Sequence, residues 1–320
     1  MSGIGTIFRK EMEDYFSSTR FLLIAALIIM VGIIIASMVG MGLQEELKGE
    51  TKPIFPFLRL FTSSGTLFSF IQFIGFFGPL IGIILGFDAI NRERISRTLS
   101  KLVAQPIYRD AIINAKFLAG VATIGIVLVA IVLVISGVGI WLVGVVPGSE
   151  EIWRLVIYLI VSLLYISFWL GISILFSVIF RSTSTSSLAS LAMWIFFSFI
   201  VSIGAGSLAE AISPITQSAA TDPDMILRHE QVLRITSSFS PMTLYSNATS
   251  TILNPMVKTT RSIILMGPLE RLSISRFQSP LSLLASIFVV IPHLVSIVAI
   301  TFLCFGICYA VFMRQEVRTV

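Results

Sequence analysis

The sequence predicts an all-α integral membrane protein. It has six transmembrane helices, an amphipathic N-terminal helix at the interface, a cytoplasmic helical segment between spans two and three, and a helical outer loop before the last span. Three observations predict this. The 320 residues are 56% hydrophobic and only 12% charged, with a mean hydropathy of +0.96, outside the range of soluble domains. Six apolar runs reach the roughly 20 residues that a crossing helix needs. Lysine and arginine gather on one side of those runs, which fixes an orientation.

Residues 1–20 come first. Ile7, Phe8, Met12, Tyr15 and Phe16 can share one helical face, with Arg9, Lys10, Glu13 and Asp14 largely elsewhere. Such a helix either lies in the membrane surface or extends into water. No cleavable leader is evident, because the run after it is long enough to be a retained span.

The spans are expected at Phe21–Leu43, Leu67–Phe87, Phe117–Val146, Leu155–Phe180, Leu188–Ala211 and Leu281–Met313. With the N-terminus inside, Arg9, Lys10, Arg20, Arg92, Arg94, Arg97, Lys101, Arg109, Lys116, Arg181, Arg314 and Arg318 are cytoplasmic. The short outer loops hold only Lys48, Lys52, Arg59 and Arg154. Both termini are therefore placed in the cytoplasm, in a multi-pass protein of the plasma membrane. Residues 21–211 carry spans one to five, including the cytoplasmic segment 88–116. Residues 212–280 form an extracytoplasmic helical loop, and 281–320 the sixth span and a cytoplasmic tail.

The segment "DAINRERISRTLSKLVAQPIYRDA", Asp88 to Ala111, is densely charged for this chain. Ile95, Leu99, Leu102 and Val103 are spaced as one helical stripe, so a helix is expected over Ala89–Ala104, with Glu93 placed to pair with Arg97. Pro106 closes it. A second helix, Arg109–Lys116, runs into the third span. A helix this short is not stable alone in water, so its apolar face must dock on the bundle, on lipid or on another protein.

These residues resemble the signature of ABC-2-type transporter permeases, the membrane subunits of a class of ABC transporters. The matching positions are Asp88, Glu93-Arg94, Thr98-Leu99, Pro106, Arg109 and Lys116-Phe117. Ile95 stands where a second acidic residue is frequent, and Arg97 where glycine is. The six-span layout resembles in particular the branch that serves nitrous-oxide reductase maturation. The resemblance implies that 88–116 is a cytoplasmic coupling element inserted into a separate ABC ATPase subunit, through Asp88, Glu93, Arg94, Ile95, Arg97, Thr98, Leu99, Leu102, Pro106 and Arg109. Ile95, Leu99 and Leu102 would dock, while Glu93, Arg94 and Arg97 would fix orientation. It also implies a second permease copy, as a homo- or heterodimer.

No phosphate loop of the form G-x-x-x-x-G-K-[ST] occurs, nor any Gly-Lys pair. The chain is not expected to be an enzyme or to hold a cofactor; ATP and magnesium would sit on the partner ATPase. Membrane lipid is the other expected partner, and nucleic acid is not one.

Within the membrane, Gly78, Gly82 and Gly86 recur every four residues in span two, a face for close helix packing. That face either transmits movement from the coupling helix or packs statically. Asp88 ends the span and is either hydrated or paired with Arg92. His293 is ionisable and intramembrane; a neutral imidazole bonded to a carbonyl freed by Pro292 is the favoured reading. Cys304 and Cys308 share a helix face, but His293 is roughly 16 Å away along the axis, so no metal site is expected. Phe70, Phe73 and Phe77 in span two, with Trp194, Phe197 and Val201 in span five, either line an apolar route, face lipid or pack together.

The loop 212–280 carries two helical patterns, "DPDMILRHEQVLRI" and "SPMTLYSNATSTILNP", expected to form a small cap on the outer face. Asn247-Ala248-Thr249 is read as a chance sequon. The function expected is the permease subunit of an ATP-driven exporter. The alternatives are a non-transporting scaffold or mechanotransmission subunit acting on an outer partner, and an intramembrane enzyme. The last is disfavoured, because the spans offer one histidine and no carboxylate pair.

Overall fold

The computed structural model describes residues 3–47, 55–62, 69–96, 108–213, 223–256 and 280–314. Among these no strand occurs, and six helices are long and apolar enough to cross a membrane. The helices are α1 (Gly3–Ser17), α2 (Thr19–Glu46), α3 (Arg59–Thr62), α4 (Phe70–Gly86), α5 (Asn91–Ile95), α6 (Arg109–Val143), α7 (Ser149–Ile179), α8 (Thr183–Ile195), α9 (Val201–Ile212), α10 (Pro223–Ser237), α11 (Pro241–Leu253) and α12 (Leu283–Arg314). A π-helical segment, Phe196–Ile200, joins α8 to α9. Spans one to six are α2, α4, α6, α7, the pair α8–α9 and α12. The end of the bundle carrying α1 is called proximal below, and the opposite end distal.

Span four is the centre. It packs along spans two, three and six and against α11. Its Tyr158, Tyr165, Ile166, Trp169, Leu170 and Ile174 are fully buried. The glycine face of span two is what brings those two helices together. A Cβ on Gly82 would lie 2.7 Å from the Ile166 carbonyl oxygen, and one on Gly86 would lie 2.8 Å from Ser173 Cβ. Only hydrogen fits there, so backbone meets backbone, the usual way helices gain contact where lipid removes the hydrophobic drive.

Spans one, five and six form the outside. Leu23 and Met30, Leu188 and Ile203, and Phe288 and Phe302 are exposed on them, which is neutral against lipid tails. Trp141 at the end of span three and Trp153 at the start of span four are exposed at the distal end. They mark the interfacial level that indoles favour. Span three runs 35 residues, so it projects past the hydrocarbon at the proximal end. The sequence divided it into a short helix and a span; the structure makes them one.

The loop before span six departs from the expected cap. Helix α10 packs back along α9, where His229 Nδ1 lies 2.9 Å from the Ser213 carbonyl. Helix α11 then rises between spans two, four and six, with Tyr245, Ala248 and Thr249 fully buried. Tyr245 stacks on Tyr165 at 4.5 Å. Tyr165 lies twelve residues past Trp153 on one helix, about 18 Å. The start of α11 therefore reaches the middle of the bundle rather than covering its top. In the sequon Thr249 is buried and Asn247 half-buried.

Candidate functional site: the proximal charge node and coupling segment

Span two stops at Gly86 and the chain turns through Phe87–Ile90 before α5 begins. The predicted helix Ala89–Ala104 is thus observed only from Asn91 to Ile95. Arg97, Thr98, Leu99, Leu102 and Pro106 lie outside the described residues. Asp88 sits half-buried in the turn. Its carbonyl accepts from the Arg92 amide at 2.9 Å, a backbone bond where a side-chain pair was one expectation. Arg109 opens span three, half-buried.

The turn strands the first amides of α5, because Ile90 at the N-cap has no side chain able to cap. Span four supplies the cap instead. Ser177 Oγ accepts from Ile90 N at 3.0 Å and from Asn91 N at 3.2 Å. Arg94 donates to the carbonyls of Val178 and Phe180 at 3.1 and 3.4 Å. These orphan carbonyls end span four, where a cation also complements the helix dipole.

Glu93 faces the other way, into a buried node. Lys116 Nζ lies 2.8 Å from Glu11 Oε1 and 3.0 Å from Glu93 Oε1. All three side chains are buried. Lys10 Nζ approaches the same two carboxylates at 3.1 and 3.4 Å and Asp14 at 3.3 Å. Two lysines face Glu11 and Glu93, so the buried part is balanced. Burial works to raise the carboxyl pKa of Glu11, but Lys116 and Lys10 outweigh it and hold it below the ordinary value. Burial works to lower that of Lys10, and the carboxylates of Glu11, Glu93 and Asp14 outweigh it, so it rises. The node joins three elements: α1, α5 and span three.

Glu93 and Arg94 are both engaged within the chain, Glu93 with span three and α1, and Arg94 with span four. Ile95, by contrast, is 65% exposed. The apolar face of α1 also docks on protein: Ile7, Glu11 and Tyr15 are buried against span three, and Thr123 Oγ1 lies 3.1 Å from Met12 Sδ. Sequence reasoning missed Glu11 and Ser177. The signal for Glu11 was there, since it falls four residues from both Ile7 and Tyr15, on the apolar stripe.

Deeper in the bundle Phe70, Phe73 and Phe77 pack along one another in span two, whereas Trp194 of span five packs edge-on to their neighbour Phe76 at 5.0 Å and Phe197 edge-on to Trp169 of span four at 6.4 Å. His293 Nδ1 finds no hydrogen-bond partner, so the expected bond to a carbonyl near Pro292 is not made. Cys304 and Cys308 are free and buried, with Cys304 Sγ near Gly171 of span four. At the distal end Arg154 is fully buried. It donates to Glu150 at 2.8 Å, the Ile252 carbonyl at 2.8 Å, Ser286 Oγ at 3.1 Å and the Leu281 carbonyl at 2.6 Å.

A family model described as ABC-2 family transporter protein matches residues 5–317 of the chain. No curated protein matches the sequence.

Proposed function

Because the chain belongs to the ABC-2 transporter family, we propose that it is the permease subunit of an ATP-driven exporter, moved by a separate ABC ATPase that grips residues 88–116. The observation that carries the reading is the contrast within α5. Glu93 and Arg94 lock the segment to spans three and four, while Ile95 beside them is left in the open. An apolar side chain held outward on a rigid mount suits a protein groove. A loop that serves only to carry positive charge would need neither the mount nor the exposed isoleucine.

In this reading the proximal end is cytoplasmic, as the basic residues favour, and the membrane is the plasma membrane. ATP and magnesium are bound by the partner ATPase, and two permease copies make the working unit. Leu99 and Leu102 extend the Ile95 face by helical spacing. Burying a leucine is worth about 1.5–3 kcal/mol, and an aspartate there would also strand a charge. The test is co-purification of a tagged chain with its ATPase. Leu99→Asp with Leu102→Asp is expected to release the ATPase while the bundle stays folded and inserted. Undiminished co-purification with transport intact would overturn the coupling reading.

A further inference from the structure

We propose that span four is the rod that carries displacement of the coupling segment to α11, with Ser177 at its proximal end and Tyr245 against its middle as positioning residues. This rests on the reading of 88–116 as the coupling segment and extends it across the membrane.

Three features of span four support it. First, it is an unbroken α-helix of 31 residues without an internal proline, about 46 Å long. Span two contains Pro79 and span six Pro292, and span five passes through the π-helical segment. Second, the coupling segment is fastened to its proximal end. Ser177 accepts the amides of Ile90 and Asn91 at the start of α5, and Arg94 closes on Val178 and Phe180. The glycine face of span two adds contact without side chains between, so spans two and four shift together or not at all. A close-packed interface of this kind passes on displacement rather than absorbing it.

Third, α11 is fastened to the distal half of the same helix. The Tyr245 hydroxyl lies 3.0 Å from Ser162 Oγ and 3.3 Å from the Tyr158 hydroxyl, and its ring stacks on Tyr165. Gly75 of span two leaves room for that ring; a Cβ there would lie 3.3 Å from it. At the other end of α11, Arg154 holds the Ile252 carbonyl. The contact with span five is different in kind. Ser240 Oγ donates to the Phe197 carbonyl at 3.1 Å, and Phe197 lies inside the π-helical segment. Such segments are common at functional sites and are readily rearranged. Among its neighbours in spans two, four, five and six, helix α11 thus has a stiff one in span four, which it follows, and a yielding one in span five, which accommodates it.

The experiment uses the complex of the full chain with its ATPase, and a cysteine at Met256, an exposed position just beyond α11. The native cysteines are buried and react slowly. Maleimide labelling is timed without nucleotide and with ATP plus vanadate. The expected result is a severalfold change in rate on trapping, abolished by Ser177→Ala and separately by Tyr245→Phe, with the ATPase still co-purifying. A role confined to stability would alter the melting temperature and leave the nucleotide effect in place. Persistence of the effect in both variants, or no effect in the parent complex, overturns the rod. Absence of any ATPase from the parent complex instead overturns the coupling reading beneath it.

Discussion

Lys116 Nζ lies between Glu11 Oε1 and Glu93 Oε1, at 2.8 and 3.0 Å, so one buried ammonium joins the N-terminal helix, α5 and span three. Removing it takes away the buried cation beside both carboxylates and leaves Lys10, which is half exposed, near them. Breaking a buried pair from one side costs about 3–5 kcal/mol. Lys116→Met is expected to lower the melting temperature of the detergent-solubilised protein markedly. Adding Glu11→Leu should restore most of the loss, because Glu93 then keeps Lys10. Equal melting of the single and double variants would contradict a balanced node.

The same node gives α1 a defined pH range. The Glu11 carboxyl is held below its ordinary value of 4.5, so its contribution is complete above 4.5 and is lost as pH falls through the lowered value. The Lys10 ammonium is held above its ordinary 10.5, so its contribution is complete below 10.5 and is lost as pH rises through the raised value. Docking of α1 should be constant between those limits. A fluorophore on a cysteine at exposed Thr6 reports it by anisotropy, which should fall only in acid or in strong base. A transition near neutrality would contradict the assignment.

Two glycines should respond oppositely to alanine. At Gly82 the added methyl meets backbone, at 2.7 Å from the Ile166 carbonyl oxygen and 2.9 Å from Leu170 N. At Gly137 in span three it meets nothing within 4 Å. Overpacking costs about 1–3 kcal/mol, more where backbone must move. Gly82→Ala is expected to destabilise by at least that, and Gly137→Ala to be neutral, in thermal unfolding of the purified protein. Equal effects would mean that spans two and four are not in backbone contact.

How much of this was legible in sequence follows from which physical signals are local. Apolar run length is local, so the six spans were readable to within a few residues, apart from the starts of spans three, four and five. Arg109 and Lys116 in span three, and Glu150, Glu151 and Arg154 in span four, interrupt the apolar run but not the helix. The spacing of Gly78, Gly82 and Gly86 was readable as a packing face, though not the partner, because partner choice is set by tertiary contact. Glu93 was read as a partner of Arg97, and Glu93 and Arg94 as residues that orient the segment on an ATPase. The structure buries or half-buries them because Lys116 and Lys10 compensate Glu93 and two orphan carbonyls take up Arg94, and those partners lie tens of residues away in the chain. Helix α11 was readable as a helix from its proline start and spacing. Its place among the spans was not, because only Tyr158, Ser162 and Tyr165 of another helix explain why Tyr245 is buried.

Orientation has its own test. Cysteines at Ser96 and Ser149, both exposed and at opposite ends, are probed with an impermeant maleimide on intact cells. Labelling at 149 and not at 96 is expected. The reverse would place the proximal end outside and remove the coupling segment from any cytoplasmic ATPase.

The central claim is that the mounted segment around Ile95 meets an ATPase. A photo-crosslinking residue placed at Ile95 tests it most directly, with Trp141 at the distal end as the comparison position. The account predicts an adduct between this chain and an ATP-hydrolysing subunit from position 95, strengthened or weakened by nucleotide, and none from position 141. Adducts from position 95 that contain only lipid or only this chain would contradict it.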